Sequence, residues 1–459
     1  MSGTAAIVTD LTRACWDAVA PGTTSPTVET TGRGSLPSVF AVTELATASI
    51  ATAATAAARL VDPTTPPTVT VDRELASEWF RLSIRPVGWS LPPVWDPIAG
   101  DYRARDGWIR LHTNAPHHRD AALAVLRVAA DRDAVTAAVA TWVADDLEAA
   151  VVGAGGCAAA MRDIDAWRAH PQGSAIATEP LITWTVGTRP DASTESTAAH
   201  PDPGRPLAGI RVLDLTRVLA GPVATRFLAG LGATVLRIDP PDWEEPAVVP
   251  EVTLGKRCAG LDLHDAEDLA TFRALLRDAD VIVHGYRPDA LARLGLGAAA
   301  RQELRPGLVD VSLDAYGWTG PWAGRRGFDS LVQMSSGIAA AGMSAAAAAH
   351  PVPLPAQALD HATGYLLAAA AIRGLDARRA GIGPTVARLS LARTAALLID
   401  TPAPSDTVPI TGAPRLADPV ETTTWGPARR LAPPFAIEGA HAQWDLPATA
   451  LRTRPPRWE

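Results

Sequence analysis

The residues of this sequence that could do chemistry fall into none of the common catalytic signatures. There is no G-x-S-x-G nucleophile elbow, no phosphate-binding P-loop and no H-E-x-x-H helix. His117 and His118 are adjacent, so their rings leave the chain in different directions, and they read as surface or structural groups rather than one metal site. No other grouping calls for a metal. RVLAGPVA (Arg217–Ala224) stands where a strand would turn into a helix, but it lacks G-x-G-x-x-G, which makes a dinucleotide site a weak reading. Asp239 could imitate the ribose-binding acid of such a site; by itself it is a residue at the end of a strand. Asp360 precedes an Ala-rich run and, taken alone, reads as a helix N-cap.

These candidates need elements to position them. The chain has 459 residues, long enough for two or three domains, with 47% hydrophobic and 20% charged residues and a net charge of −8. No basic tract is present to follow a phosphate backbone, so nucleic acid is not expected as a partner. Cys15, Cys157 and Cys258 lie far apart, which argues against a disulfide framework or a zinc site and suits a reducing compartment. No basic-then-apolar leader opens the sequence, and the apolar stretches are interrupted, so a cytoplasmic protein without a membrane span is expected.

Residues 1–40 are rich in Thr, Pro and Gly and are expected to be loosely ordered. TELATASIATAATAAARL (Thr43–Leu60) reads as a helix, and residues 41–186 as a small α+β region. Its clearest signal is YRARDGWIRLHT, in which Asp106-Gly107 makes a tight hairpin; Asp120–Ala130 and Asp133–Ala150 follow with helical spacing. Residues 187–206 are polar and Pro-rich, like a linker. From 207 to 400 short apolar strands (Ile210–Leu215, Ala233–Asp239, Asp280–His284, Leu308–Leu313) alternate with helices, and the last stretch, 401–459, is Pro-rich and expected to wrap the surface. The fold class is therefore α/β: a Rossmann-like, doubly wound parallel sheet in a large domain, with a smaller α+β domain.

Five segments of the large domain, plain when taken singly, are jointly specific. LAGIRVLDLTRVLAGPVATRFLAGLGATVLRIDPP, LGKRCAGLDLH, DADVIVHGYRPDALARLGLG, DVSLDAYGWTGPWAGRRGFDSLVQMSSG and PLPAQALDHATGYLLAAAAIRGL follow one another between Leu207 and Leu375. In content, order and spacing they resemble the family III CoA-transferases, the group that includes formyl-CoA and carnitine CoA-transferases. Alpha-methylacyl-CoA racemases share that fold.

The resemblance implies that Asp360 is a nucleophile on an acyl-CoA thioester, forming a mixed anhydride and then an aspartyl-CoA thioester. It implies that Arg287, Lys256, Arg257 and Arg237 hold CoA, with Gly221 and Pro222 opening a helix whose N-terminus suits the CoA chain. Coenzyme A and acyl-CoA would be substrates, with no permanently bound cofactor, a small carboxylic acid as the second substrate, and a homodimer as the assembly. Two positions depart from the pattern. Pro240 stands where the family usually has a basic residue after the second strand. Phe328 stands where the racemases have a histidine, which places transfer ahead of racemisation. A racemase or isomerase of CoA thioesters, and a CoA-binding relative without turnover, remain as alternatives.

The order of the chain is also unusual. YRARDGWIRLH and AGGCAAAMRDIDAWRAHPQG (Ala154–Gly173) resemble the family's small domain, yet they precede the large one. ELATASIATAATAAARL can be laid over DHATGYLLAAAAIRGL with Glu44 on Asp360, which suggests a truncated first copy, although the shared letters are mostly Ala and Thr. If that copy is real, Trp108, Trp167 and His170 read as structural, with a substrate-facing role as the alternative.

Overall fold

The computed structural model describes residues 3–24, 27–187, 202–287, 289–381, 385–404 and 407–459. The apolar runs of the second half pair into a seven-stranded sheet. Its strands are β1 (Thr183–Thr185), β2 (Arg211–Leu215), β3 (Thr234–Asp239), β4 (Lys256–Gly260), β5 (Val281–His284), β6 (Val309–Asp314) and β7 (Val386–Ser390), lying side by side in the order β4-β3-β2-β5-β6-β7-β1. All neighbours are parallel except β1, which closes the edge antiparallel to β7. Strands covered on both faces must be apolar throughout rather than alternating, and Val281–His284 is buried at every position. From β2 the chain winds outward through β3 and β4, then returns to the other side of β2 for β5 to β7. The order therefore reverses between β2 and β5, and a doubly wound sheet opens a crevice at the carboxyl ends of the strands there.

The helix Ala358–Arg379 packs against this sheet and is buried along almost its whole length. Small side chains make that possible: a Cβ on Gly364 would meet the carbonyl oxygen of Ala220 at 2.5 Å, so only glycine lets the helix Ala220–Gly230 approach this closely. On another side it meets the helix Val42–Val61 from the other end of the chain, which is equally Ala-rich and buried.

These two helices begin alike. Ala41 and Gln357, the residues before them, have φ/ψ of −74°/55° and −75°/66°. In each the first helical N–H donates to the carbonyl two residues back, Val42 to Phe40 and Ala358 to Ala356, both at 2.8 Å. Glu44 and Asp360 are each the third residue of their helix. The likeness continues downstream. Val69–Asp72 is a strand with a parallel neighbour, Val28–Thr31, and an antiparallel one, Phe435–Ile437, just as β7 lies between parallel β6 and antiparallel β1. Asp72 and Ser390, the last residues of these strands, then cap the helices Arg73–Trp79 and Leu391–Asp400. Glu44, however, is spent on Arg73, 2.7 Å away and mostly buried.

The N-terminal residues depart from expectation. Thr4–Val19 is a helix, because Ile7, Leu11, Cys15, Trp16 and Val19 recur at helical spacing and bury one stripe in the core shared by the two long helices. That shared core also separates residues 4–80 from the α+β unit that follows, so the expected 41–186 grouping is divided. Residues from Ile98 to Ala160 have an apolar cluster of their own, built on the hairpin Gly100–Arg103 and Trp108–Leu111 with the strand Ala158–Ala160. The stretch expected as one helix over 133–150 is two, Arg132–Val139 and Ala144–Gly153. Most of the linker, residues 188–201, lies outside the described residues. In the Pro-rich end, Leu416–Thr423 and Gly426–Leu431 pair as strands, and Trp444 stacks on Trp79. Among the described residues, no helix is long and apolar enough to cross a membrane.

Candidate active site

Asp214, in β2, is buried and sets the turn that follows. Its carboxylate accepts from the Thr216 backbone and hydroxyl, from Thr225 Oγ1 and from Lys256 Nζ at 2.9 Å. The turn then forces Val218 into the left-handed region at φ 65°, a strained position for a β-branched residue. Its N–H is held by Glu245 Oε2 at 2.8 Å, and Glu245 is anchored in turn by Arg237 and by Trp243 Nε1. Gly221 follows in the first turn of its helix, where any side chain would collide with Thr216.

Asp329 opens the helix Asp329–Ser335 and is wholly buried. Its Oδ2 accepts the backbone N–H groups of Leu359 and Asp360 at 2.8 and 2.9 Å. These are the second and third residues of the Asp360 helix, the groups that an N-cap side chain would satisfy, and Gln357 at the cap position provides no such bond. Asp360 is therefore not the N-cap: it lies inside the first turn, and Asp329 does the capping from thirty positions away. Gln333 fixes the other oxygen of Asp329 and accepts the N–H of Leu354.

Asp360 is 7% exposed, and among the described residues its carboxylate has no hydrogen-bond donor. Burial first, and the Asp329 carboxyl second, push it well above the usual carboxylate range. Burial raises Asp329 too, against the hydrogen bonds that favour its anion.

Two cavities meet at Asp360. The first, about 350 Å³, lies at the carboxyl ends of β2, β5 and β6, where the strand order reverses. Arg217, Arg287, Arg325 and Arg326 line it, with Gly221 at the helix N-terminus. Arg217 stacks over Trp243 and Tyr286 at 4.4 and 5.2 Å, and Arg325 is tied to Glu148 and the Ala158 carbonyl. Arg287 is exposed and, among the described residues, makes no ion pair. His118 and Asp314 face the same space with unpartnered buried atoms, both ring nitrogens of the former and Oδ2 of the latter. Burial pulls His118 down to about 4 and lifts Asp314 to about 7. The second cavity, about 270 Å³, lies beyond Val218 and Phe328 and is walled by Trp95, Leu219, Trp243 and Pro246 among others. In and just before the α+β unit, His117 and His118 line the first cavity, and Trp95, Asp96, His112 and Asn114 are among those lining the second.

The structure thus brings Asp360, Arg287 and Gly221 together. Pro222 is buried beside Gly221, its carbonyl accepting from Lys256. Lys256, Arg237 and Arg257 line neither cavity. Lys256 and Arg237 are fully buried in ion pairs with Asp214 and with Asp239 and Glu245, and Arg257 pairs with Glu459. Their basic charge suggested a ligand for phosphate, but that of Lys256 and Arg237 balances interior carboxylates, and that of Arg257 a partly exposed one. Reading by residues had missed Arg217, Arg326, His118, Asp314 and the capping role of Asp329. The G-R-R-G run at 324–327 was the signal available for Arg326; only three-dimensional proximity links Asp329 to Asp360.

Comparison with known proteins bears on the second half of the chain. A family model described as CoA-transferase family III matches residues 207–419. An acetyl-coenzyme A transferase of Hypoxylon pulicicidum is 36% identical over 189 residues, 39% of this chain and 32% of that protein. A succinate–glutarate CoA-transferase of Agrobacterium fabrum is 36% identical over 157 residues, covering 30% and 39%. The chain spans about a third to a half of the length of the curated relatives it matches. A crystal structure of the Mycobacterium tuberculosis protein Rv3272 is 30% identical, with a TM-score of 0.38 over 43% of this chain and 58% of that one.

Proposed function

We propose that this chain, whose residues 207–419 match the family model of CoA-transferase family III, is an acyl-CoA:carboxylate CoA-transferase with Asp360 as nucleophile. The observation that carries the reading is the place of Asp360 between a basic cavity and an apolar one. Relatives named for moving CoA between small carboxylic acids support it.

The Asp360 carboxylate attacks the thioester carbonyl of the donor and expels the CoA thiolate, leaving a mixed anhydride. The thiolate attacks the aspartyl carbonyl, releases the donor carboxylate and leaves an aspartyl-CoA thioester. The acceptor carboxylate repeats the sequence: it displaces the thiolate to form a second anhydride, and the thiolate then takes the acceptor acyl group and frees Asp360. The environment that raises Asp360 favours this course. Burial beside Asp329 penalises the anion, and acylation removes that charge. The N-terminal end of the helix steadies the carboxylate until then.

In this reading the CoA arm lies in the first cavity. Arg287, with Arg217 and Arg326, meets its phosphates, the helix opened by Gly221 and Pro222 faces the chain, and His118 and Asp314 offer hydrogen bonds to its amides. Lys256, Arg237 and Arg257 act indirectly, by holding the strands and the Val218 turn. The segment before residue 187 stands in for a small domain by walling both cavities, and the assembly is a homodimer. Racemisation is less well supported: Phe328 occupies the place for a base, and His112 lies flat on it at 3.7 Å, pulled by burial down to about 3.

The test is exchange of labelled CoA between an acyl-CoA and a free carboxylic acid. The wild type exchanges and Asp360→Ala does not; hydroxylamine with acyl-CoA inactivates the wild type through Asp360. Exchange that survives Asp360→Ala, or alpha-proton exchange in its place, would reject the assignment.

A further inference from the structure

We infer that the second cavity is an acyl-tail pocket for a neutral, apolar acyl group, and that it rejects acyl groups ending in a second carboxylate. The inference rests on the reading of Asp360 as the residue that meets the thioester.

Its walls give the first reason. Trp95, Val218, Leu219, Trp243, Pro246 and Phe328 present carbon surface to a cavity of about 270 Å³ that reaches Asp360. Such walls bind by removing apolar area from water, a gain of about fourfold per methylene.

The charges give the second. Among the described residues, no lysine or arginine lines the cavity. Its one histidine, His112, is buried, stacked on Phe328 and neutral, its pKa held near 3 by burial and by Arg110. Asp96, Glu244, Glu245 and Asp329 do line it, together with Asp360. A terminal carboxylate would enter without a partner cation, among groups of its own sign.

A cationic tail is also disfavoured, because every lining carboxylate except Asp360, which meets the thioester, already has a partner. Asp96 is held by Arg119 and Thr113, Glu244 by Arg452, and Glu245 by Arg237 and the Val218 N–H. Asp329 is used by the helix N-terminus. One face of each tryptophan is engaged as well, by Arg110 over Trp95 at 4.7 Å and Arg217 over Trp243 at 4.4 Å.

Binding to Asp360→Ala, where no turnover intervenes, tests the pocket. Calorimetry with acetyl-, butyryl-, hexanoyl-, succinyl- and trimethylaminobutyryl-CoA should show affinity rising about fourfold per methylene from acetyl to butyryl. Hexanoyl-CoA should bind at least tenfold tighter than succinyl- or trimethylaminobutyryl-CoA. Equal or tighter binding of either charged ester overturns the inference. Leu219→Arg should reverse the preference towards succinyl-CoA, and Gln357→Arg, at a half-buried wall position, repeats the test should the first variant not fold. Both variants keeping the preference for hexanoyl-CoA also overturns it. CoA exchange by the wild type is scored separately. Its absence with the binding order intact removes the transferase reading and leaves the pocket, whereas exchange with succinate in preference to hexanoate removes the pocket and leaves the transferase.

Discussion

Asp329 holds Asp360 by its backbone: one carboxylate oxygen accepts the N–H groups of both Leu359 and Asp360, and so caps the helix that carries the proposed nucleophile. The same carboxylate sits beside the Asp360 side chain and opposes its ionisation. Positioning and electrostatic tuning thus come from one residue.

Asp329→Asn separates these two effects. The amide oxygen can still cap the helix, but the neighbouring negative charge is gone, so the Asp360 pKa falls and the rising limb of the activity–pH profile moves to lower pH. Asp329→Ala loses the cap as well and should cost about 1–2 kcal/mol in denaturant unfolding.

The raised Asp360 pKa also has a cost in stability. Its folded-state value lies above the unfolded one, so the folded chain holds the proton longer, and stability falls as pH rises from the unfolded carboxylate value through the folded one. Asp360→Asn escapes this. Its melting temperature should exceed that of the wild type by an amount that grows between pH 4 and pH 8, on the order of 2–5 °C at the upper end.

Arg287 and Lys256 should fail differently. Arg287→Ala removes an exposed guanidinium that, among the described residues, makes no ion pair and lines the first cavity; it should raise KM for acyl-CoA by about tenfold or more, with kcat and melting temperature little changed. Lys256→Met leaves Asp214 charged and unpaired in the interior and should destabilise the fold by about 3–5 kcal/mol, measured by urea unfolding.

Glu44→Ala tests whether the second helix carries a working site. Glu44 is buried against Arg73, so the variant should lose about 1.5–3 kcal/mol of stability and keep its kcat.

The parallel sheet was legible because strands buried on both faces must be runs of Val, Ile and Leu, and those runs are local in sequence. The hairpin at Asp106-Gly107 was legible for a similar reason: its turn chemistry is confined to a few residues. The helix Thr4–Val19 was obscured because the Thr, Pro and Gly residues after it dominate the composition of the segment, whereas its buried stripe gains meaning only from the core it meets. For the candidate site, Asp360 could be chosen from the segments around it, but its surroundings could not. A lysine or arginine in the sequence is equally a phosphate ligand and the partner of an interior carboxylate. Tertiary structure decided between the two, burying Lys256 and Arg237 with Asp214, Asp239 and Glu245 and leaving Arg287 exposed. It also joined Asp329 to Asp360, and Trp95 and His112 to the far cavity, because hydrogen bonds and walls form between residues near in space whatever their separation along the chain. The sequence by itself determined the central strands of the parallel sheet and which aspartate to suspect; the packing of the elements decided its neighbours, and through them its charge.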